Sequence, residues 1–112
     1  MKISETIILL AVIALDYFTG VLVAIMEKKI NSTIGRRGIL KKIGILVCIA
    51  LCKIIDYMGI IDGIPISPMV GLFFIVNEGF SILENLSRLN VPIPAFLITL
   101  LGDLKKKNEK KH

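Results

Sequence analysis

Metal-ligating and redox-active side chains are scarce in this 112-residue chain, which has two cysteines and one histidine. Cys48 and Cys52 lie four residues apart in an apolar run, a spacing and setting that disfavour a disulfide within one helix. A zinc site would need further ligands, and His112 lies in a basic tail far from both thiols. We therefore expect the two thiols to be small packing residues, and we expect no metal or cofactor.

Residue patterns that enzymes use are also missing. The sequence contains no nucleophile paired with a base, no set of metal ligands and no phosphate-binding loop. We therefore expect that the protein is not an enzyme.

Charge is present but unevenly distributed. Hydrophobic residues make up 54% of the chain and the mean hydropathy is +0.79, which is more apolar than an ordinary soluble domain. The net charge of +5 comes mainly from basic clusters at 28–42 and 105–111. Because these clusters flank apolar segments, they favour anionic lipid headgroups as partners over nucleic acid.

Three apolar segments are long enough to cross a bilayer, since about 20 helical residues span a hydrocarbon core of about 30 Å. A fourth apolar segment is too short and starts with two prolines, which favours an interfacial helix. The predicted fold is therefore an all-α integral membrane protein with a single domain. Its predicted parts are a span at 7–26, a cytoplasmic loop at 27–38, a span at 39–61, an outer turn at 62–67, a span at 68–86, an interfacial helix at about 92–102 and a basic tail at 103–112.

The distribution of basic residues predicts the orientation of these spans. Six Lys or Arg residues lie in or next to the first loop, and the second loop has none. By the positive-inside rule the first loop is cytoplasmic, so the N-terminus lies outside and the C-terminus is cytoplasmic. A fourth span at 91–101 would export five lysines, so we reject it.

Each predicted span contains an ionisable residue near its middle. Counted from the outer helix ends, Asp16, Lys53 and Glu78 lie about 12 to 15 Å deep, close to the midplane. Asp56 shares a helix face with Lys53. Because a charge at this depth must face protein or water, we predict an intramembrane charge layer of Asp16, Lys53 and Asp56. Within it, Lys53 is predicted to bridge Asp16 or Glu78, in one subunit or between neighbours.

The segment 76–88 has polar side chains on one side at helical spacing, next to an apolar remainder. We predict that they line the wet face of an assembly, and they are Asn77, Glu78, Ser81, Glu84 and Asn85. Small residues let helices approach closely in lipid, and the predicted packing residues are Gly20, Ala24, Gly44 and Gly79. Such packing suits a monomer as well as an oligomer. A three-helix bundle has little interior for so many polar groups, which favours self-association.

Four motifs follow one another along most of the chain. They are Asp-Tyr-Phe-Thr-Gly at 16–20, Ile-Asn-Ser at 30–32 followed by Gly35, Gly38, Lys41 and Lys42, Asn-Glu-x-x-Ser-Ile-x-Glu-Asn at 77–85, and Val-Pro-Ile-Pro at 91–94. In order and spacing they resemble the bacteriophage holin family of the toxin-secretion and phage-lysis type, which includes holins of clostridial toxin loci.

The resemblance implies a protein of the bacterial cytoplasmic membrane that accumulates harmlessly and then oligomerises into lesions. These lesions release a cell-wall hydrolase, or in some loci a toxin, and so time host lysis. The resemblance also implies an antiholin as a possible partner. The alternative is a small oligomeric channel for ions or protons, or an accessory subunit of a transporter, because carboxylates at the midplane also suit cation relays.

Overall fold

The computed structural model describes residues 3–29, 32–60 and 62–110. It contains four helices, α1 (Ile3–Met26), α2 (Ser32–Met58), α3 (Ser67–Arg88) and α4 (Ala95–Lys110). No strand occurs within these three ranges. The all-α class predicted from the sequence is confirmed.

Two of the four helices, α1 and α3, are long and apolar enough to cross a membrane. Their 24 and 22 residues correspond to lengths of about 36 and 33 Å. The 27 residues of α2 also suffice in length, but Lys41, Lys42, Lys53 and Asp56 divide its apolar residues into shorter runs. The sequence predicts three spans, and the second of them, on α2, therefore stays a prediction.

The three long helices all end at a residue with a left-handed backbone. Lys28 (φ 56°) follows α1, Gly59 (φ 66°) follows α2 and Asn90 (φ 65°) follows α3. At the end of α1 the N–H of Lys29 donates to the carbonyl of Ala24 at 2.9 Å, which completes a Schellman motif. These motifs reverse the chain within a few residues, so consecutive helices run antiparallel.

The first predicted loop is shorter than expected, because α2 already begins at Ser32. Residues 32–38 are predicted to lie in a loop, since they are basic and contain two glycines. In the structure Gly35 and Gly38 face Tyr17 on α1: a Cβ on Gly35 would lie 3.6 Å from the Tyr17 hydroxyl, and one on Gly38 would lie 3.6 Å from the Tyr17 ring. The glycines therefore serve the packing of α1 against α2, and the helix continues through them.

The predicted basic tail is also helical as far as the structure describes it, because α4 extends to Lys110. Lysines are good helix formers, and the buried side chain of Asn108 donates to the carbonyl of Met69 at 2.9 Å. At the middle of α4, Leu101 contacts Gly79. Thus α4 runs back along α3, and its basic end lies beside the start of α3. The predicted topology instead places the basic end of the chain and the start of the third span on opposite sides of the membrane.

A small apolar core joins α1 and α2. Leu9 and Ile13 of α1 pack against Ile45 and Ile49 of α2, and apolar side chains of α3 cover them. Outside this core many large apolar side chains are exposed along the helices, among them Phe18, Val47 and Leu51. Soluble monomers rarely expose apolar surface on this scale. The exterior therefore suits contact with lipid or with further protein.

Candidate functional site

Three helices meet at one half-buried lysine. The Lys42 ammonium of α2 lies 2.7 Å from Asp16 Oδ2 on α1 and 3.4 Å from Glu78 Oε2 on α3. The side chains of Lys42, Asp16 and Glu78 are only 15%, 15% and 7% exposed, respectively. One ammonium is therefore shared between two carboxylates in the interior of the bundle.

Hydrogen bonds extend this ion pair along α1 and α3. Asn85 Nδ2 donates to Thr19 Oγ1 at 2.9 Å and to Asp16 Oδ1 at 3.2 Å. The buried Thr19 hydroxyl in turn donates to the carbonyl of Leu15 at 2.8 Å. Asp16, Thr19, Lys42, Glu78 and Asn85 form what we call the polar cluster. Its side chains connect α1, α2 and α3, and Asn85 Nδ2 also donates to the backbone carbonyl of Asp16 at 3.3 Å.

The charged groups of the polar cluster stabilise one another by ion pairing and hydrogen bonding. Buried charges destabilise a protein unless they are paired and hydrogen-bonded. Among the residues that the structure describes, no buried side-chain nitrogen or oxygen lacks a hydrogen-bond partner. The two carboxylates and one ammonium have a formal charge of −1 when all are ionised. At membrane depth such a group must be sheltered from lipid.

The prediction that Lys53 bridges Asp16 or Glu78 is wrong within one chain. The Lys53 side chain is exposed, and its ammonium donates to Thr6 Oγ1 near the start of α1 at 3.0 Å. Because α1 and α2 run antiparallel from a short turn, Asp16 lies opposite Lys42, about 16 Å from Lys53 along α2. A contact of Lys53 between copies of the chain stays a prediction.

Asp56 also lies away from the polar cluster. Its carboxylate accepts hydrogen bonds from the backbone N–H groups of Ile66 at 2.7 Å and Ser67 at 2.9 Å. Ile66 is the N-cap of α3 and supplies no side-chain cap itself. The carboxylate of α2 therefore caps the start of α3, where an anion is favoured. Of the predicted charge layer, only Asp16 belongs to the polar cluster.

The predicted polar face of α3 is divided into two parts. Glu78 and Asn85 are directed into the bundle, as part of the polar cluster. Glu84 is 67% exposed and pairs with Arg88 at 3.3 Å on the same helix. Asn77 is half-buried and has no side-chain hydrogen bond to the described residues. At 100° per residue Glu78 and Glu84 are about 120° apart on the helix, so one neighbouring surface does not cover both.

The predicted packing glycines differ in their surroundings. A Cβ on Gly20 would lie 3.8 Å from Asn85 Nδ2, and one on Gly79 would lie 3.3 Å from Leu101 Cδ1. Ala24 is half-buried beside the cleft described next. A Cβ on Gly44 would meet nothing within 4 Å among the described residues. A packing role for Gly44 would therefore require another copy of the chain.

A cleft of about 870 Å³ opens beside the polar cluster, between the second half of α1, the first half of α2 and α3. Asp16, Lys42 and Asn85 contribute to its lining. The other polar lining residues include Lys29, Arg36, Ser81 and Glu84, and the apolar ones include Val21, Ala24 and Ile39. The volume lies within the range of about 300–1,000 Å³ that is usual for ligand sites.

Metal binding has no evident site in the described part of the chain, which contains no group of three His, Cys, Asp or Glu residues suited to hold an ion. The membership of Lys42 in the polar cluster is not predicted from the sequence, where Lys42 belongs to the basic region near the first loop. The signal that could have identified it is the register across the α1–α2 turn, since Asp16 and Lys42 are nearly equidistant from Lys28.

Comparison with known proteins identifies similar chains. Over 100 residues the chain is 43% identical to an uncharacterised protein of Clostridium perfringens strain 13, covering 89% of this chain and 74% of the relative. Over 102 residues it is 36% identical to an uncharacterised protein of Halalkalibacterium halodurans, covering 88% and 76%. Over 97 residues it is 32% identical to a protein of Bacillus phage phi105 named probable holin, covering 87% and 71%.

No solved structure matches the chain significantly. The sequence profile of the bacteriophage holin family matches residues 4–106, which is nearly the whole chain. Together with two helices long and apolar enough to span a bilayer, this match indicates a membrane protein. The resemblance found in the sequence motifs is confirmed, and the chain belongs to the bacteriophage holin family.

Proposed function

We propose that this protein is a holin that self-associates in the bacterial cytoplasmic membrane and forms lesions. A cell-wall hydrolase leaves the cytoplasm through them, so the timing of lesion formation sets the time of host lysis. In a toxin locus the released protein would be a toxin. Membership of the holin family and the phage relative named probable holin support this role. Proteins of this family are generally not enzymes, in agreement with the sequence analysis.

The observation that carries the proposal is the pair of polar surfaces on α3. Glu78 and Asn85 face α1 and α2 within the chain, whereas Glu84, at the edge of the cleft, and Arg88 stay exposed. A helix that spans a membrane cannot present a carboxylate to the acyl chains. In our proposal the open side, with Ser81 beside it, faces water in a lesion lined by several copies.

The proposed arrangement in the membrane has three spans, with α2 between α1 and α3. The 27-residue length of α2 permits this, and Lys42, at the edge of its apolar run 43–52, is paired within the polar cluster. The basic residues around the α1–α2 turn favour a cytoplasmic location for that turn and an external N-terminus. The lysines at the end of the chain favour a cytoplasmic C-terminus by the same rule. Because Asn108 lies beside Met69 at the external end of α3, this location requires α4 to leave α3 in the membrane.

Expression in a bacterium with and without an active cytoplasmic wall hydrolase tests the proposal. We expect growth to stop abruptly in both cultures, and turbidity to collapse only where the hydrolase is active. An inactive hydrolase variant is the matched control. Growth arrest without lysis in the presence of the active hydrolase would contradict the proposal.

One observation favours a second function, an oligomeric conductor of ions or protons. Two carboxylates share a single ammonium in the middle of the bundle, and such groups also serve cation relays. A selective channel would depolarise the cells and leave a folded hydrolase inside. The same pair of cultures therefore separates the two functions.

A further inference from the structure

The cleft beside the polar cluster lies at the end of the bundle where α1 stops and α2 starts. Lys29 follows the last turn of α1 and Arg36 lies in the second turn of α2, and both line the cleft. In the proposed function this end of the molecule faces the cytoplasm. The cleft would then lie at the level of the lipid headgroups of the cytoplasmic leaflet.

We propose that this cleft binds the phosphate of an anionic phospholipid, with Lys29 and Arg36 as the residues that hold it. The proposal rests on the proposed function for the presence and side of the membrane. Val21 and Ile39, which also line the cleft, provide an apolar wall for the glycerol and the upper acyl chains.

The charges of the cleft favour an anion once its internal pairs are taken into account. Asp16 is paired with Lys42 at 2.7 Å, and Glu84 is paired with Arg88 at 3.3 Å. Neither Lys29 nor Arg36 forms an ion pair with a residue in the described ranges, and their two positive charges exceed the formal charge of −1 on the polar cluster. A guanidinium and an ammonium together suit a phosphate, because the guanidinium can donate two parallel hydrogen bonds.

The surroundings of these charges favour a lipid over a free phosphate. The cleft is wide and open, and its volume of about 870 Å³ is far more than one phosphate group fills. Its apolar residues would gain nothing from a soluble anion, whereas acyl chains would bury them. Basic pockets between membrane helices on the cytoplasmic side are a recurrent way of binding anionic headgroups.

The test measures lipid retention by the purified full-length chain in a neutral detergent, by native mass spectrometry. Phosphatidylglycerol is the anionic probe and phosphatidylcholine the neutral one. The test variant is Lys29→Gln/Arg36→Gln. The matched control is Lys28→Gln/Arg37→Gln, which removes the same charges from the neighbouring positions that do not line the cleft. Helix content by circular dichroism verifies that both variants fold.

We expect the unmodified chain and the control to retain one phosphatidylglycerol per chain in preference to phosphatidylcholine. The test variant should bind it about 30-fold more weakly, because each basic side chain near an anionic headgroup contributes about a fivefold gain in affinity. Equal losses in both double variants would mean general charge attraction and overturn the site. Equal affinity for soluble glycerol phosphate would overturn the assignment to a lipid.

Failure of this site and failure of the proposed function are separable. Lipid retention is measured on isolated protein, so a culture that does not lyse leaves the binding result intact. Conversely, the test variant could keep its lipid although the unmodified chain lyses cells. That result would overturn the lipid site in the cleft and leave the proposed function intact.

Discussion

Lys42 holds three helices together at the scale of single residues, because its ammonium lies within 3.4 Å of carboxylates from α1 and α3. Lys53, eleven positions further along α2, is exposed and donates to one threonine hydroxyl. The same side chain therefore has two different surroundings on one helix. This contrast offers a matched pair of substitutions.

Lys42→Met should destabilise the folded chain by about 3 kcal/mol, the lower end of the cost of removing one partner from a buried ion pair, because Lys42 and Asp16 also line the open cleft. It leaves Asp16 and Glu78 facing each other without a cation. Lys53→Met should change stability little, because its hydrogen bond is exposed to solvent. The free energies of unfolding can be followed by circular dichroism in mixed detergents, since the chain has no tryptophan for fluorescence. Equal losses for both variants would contradict the role assigned to Lys42.

The sequence predicts well which types of residue form the site. It predicts less well which of these residues contact each other. Asp16 and Glu78 were identified because carboxylates inside apolar segments need partners. The predicted partner, Lys53, is wrong within one chain, because the depth of a residue in its own helix does not determine the register between two helices, and α2 ends at Met58 and not at residue 61. The contact with Lys42 depends on the register of α1 against α2, which the turn at Lys28 determines. Capping of α3 by Asp56 depends on tertiary structure in the same way.

At the scale of whole elements, the apolar runs of the sequence predict which segments are helical, but they do not predict where each helix begins and ends. Glycines and basic residues at 32–38 resemble a loop locally, yet Tyr17 packs on the glycines and the helix persists. The lysine-rich segment after Gly102 resembles a free tail, yet Asn108 anchors it to α3. Both errors arise because a contact distant in sequence outweighs a local preference.

The packing of α4 along α3 is open to a direct test. In a chain with Cys48 and Cys52 replaced by alanine, Gly79→Cys and Leu101→Cys should be joined efficiently by a short bifunctional thiol reagent as long as α4 keeps the position along α3 that the structure shows. The reason is that a Cβ at position 79 lies 3.3 Å from the Leu101 side chain. The product is measured as a linked peptide pair after proteolysis of the monomer band.

The control for this cross-link is the pair Gly79→Cys and Leu100→Cys, because the exposed Leu100 lies on another face of α4. It should react several-fold less. Equal yields from both pairs would show that α4 does not keep this position in the membrane. The basic end of α4 would then be free to lie at the cytoplasmic surface, as the distribution of charge predicts.

At the scale of the whole molecule, the chain is elongated, with dimensions of 50 × 34 × 20 Å. Its longest dimension exceeds the thickness of a bilayer with headgroups, about 40–45 Å. Many of its large apolar side chains are exposed, while the polar cluster lies inside and Glu84 stays open. A single copy can satisfy the polar cluster, but it cannot shelter the open side of α3 from lipid. Several copies arranged around water can do so, and this is the central claim of the proposed function.

The size limit of the lesion in whole cells tests this claim most directly. Cells that express the chain together with folded cytoplasmic reporters of increasing mass are followed for membrane potential and for reporter in the medium, in a host whose wall is kept permeable. We expect the membrane potential to collapse and a folded reporter of enzyme size to appear outside at the same time. Loss of potential with every reporter protein retained in the cytoplasm would contradict the claim and leave only a channel for ions.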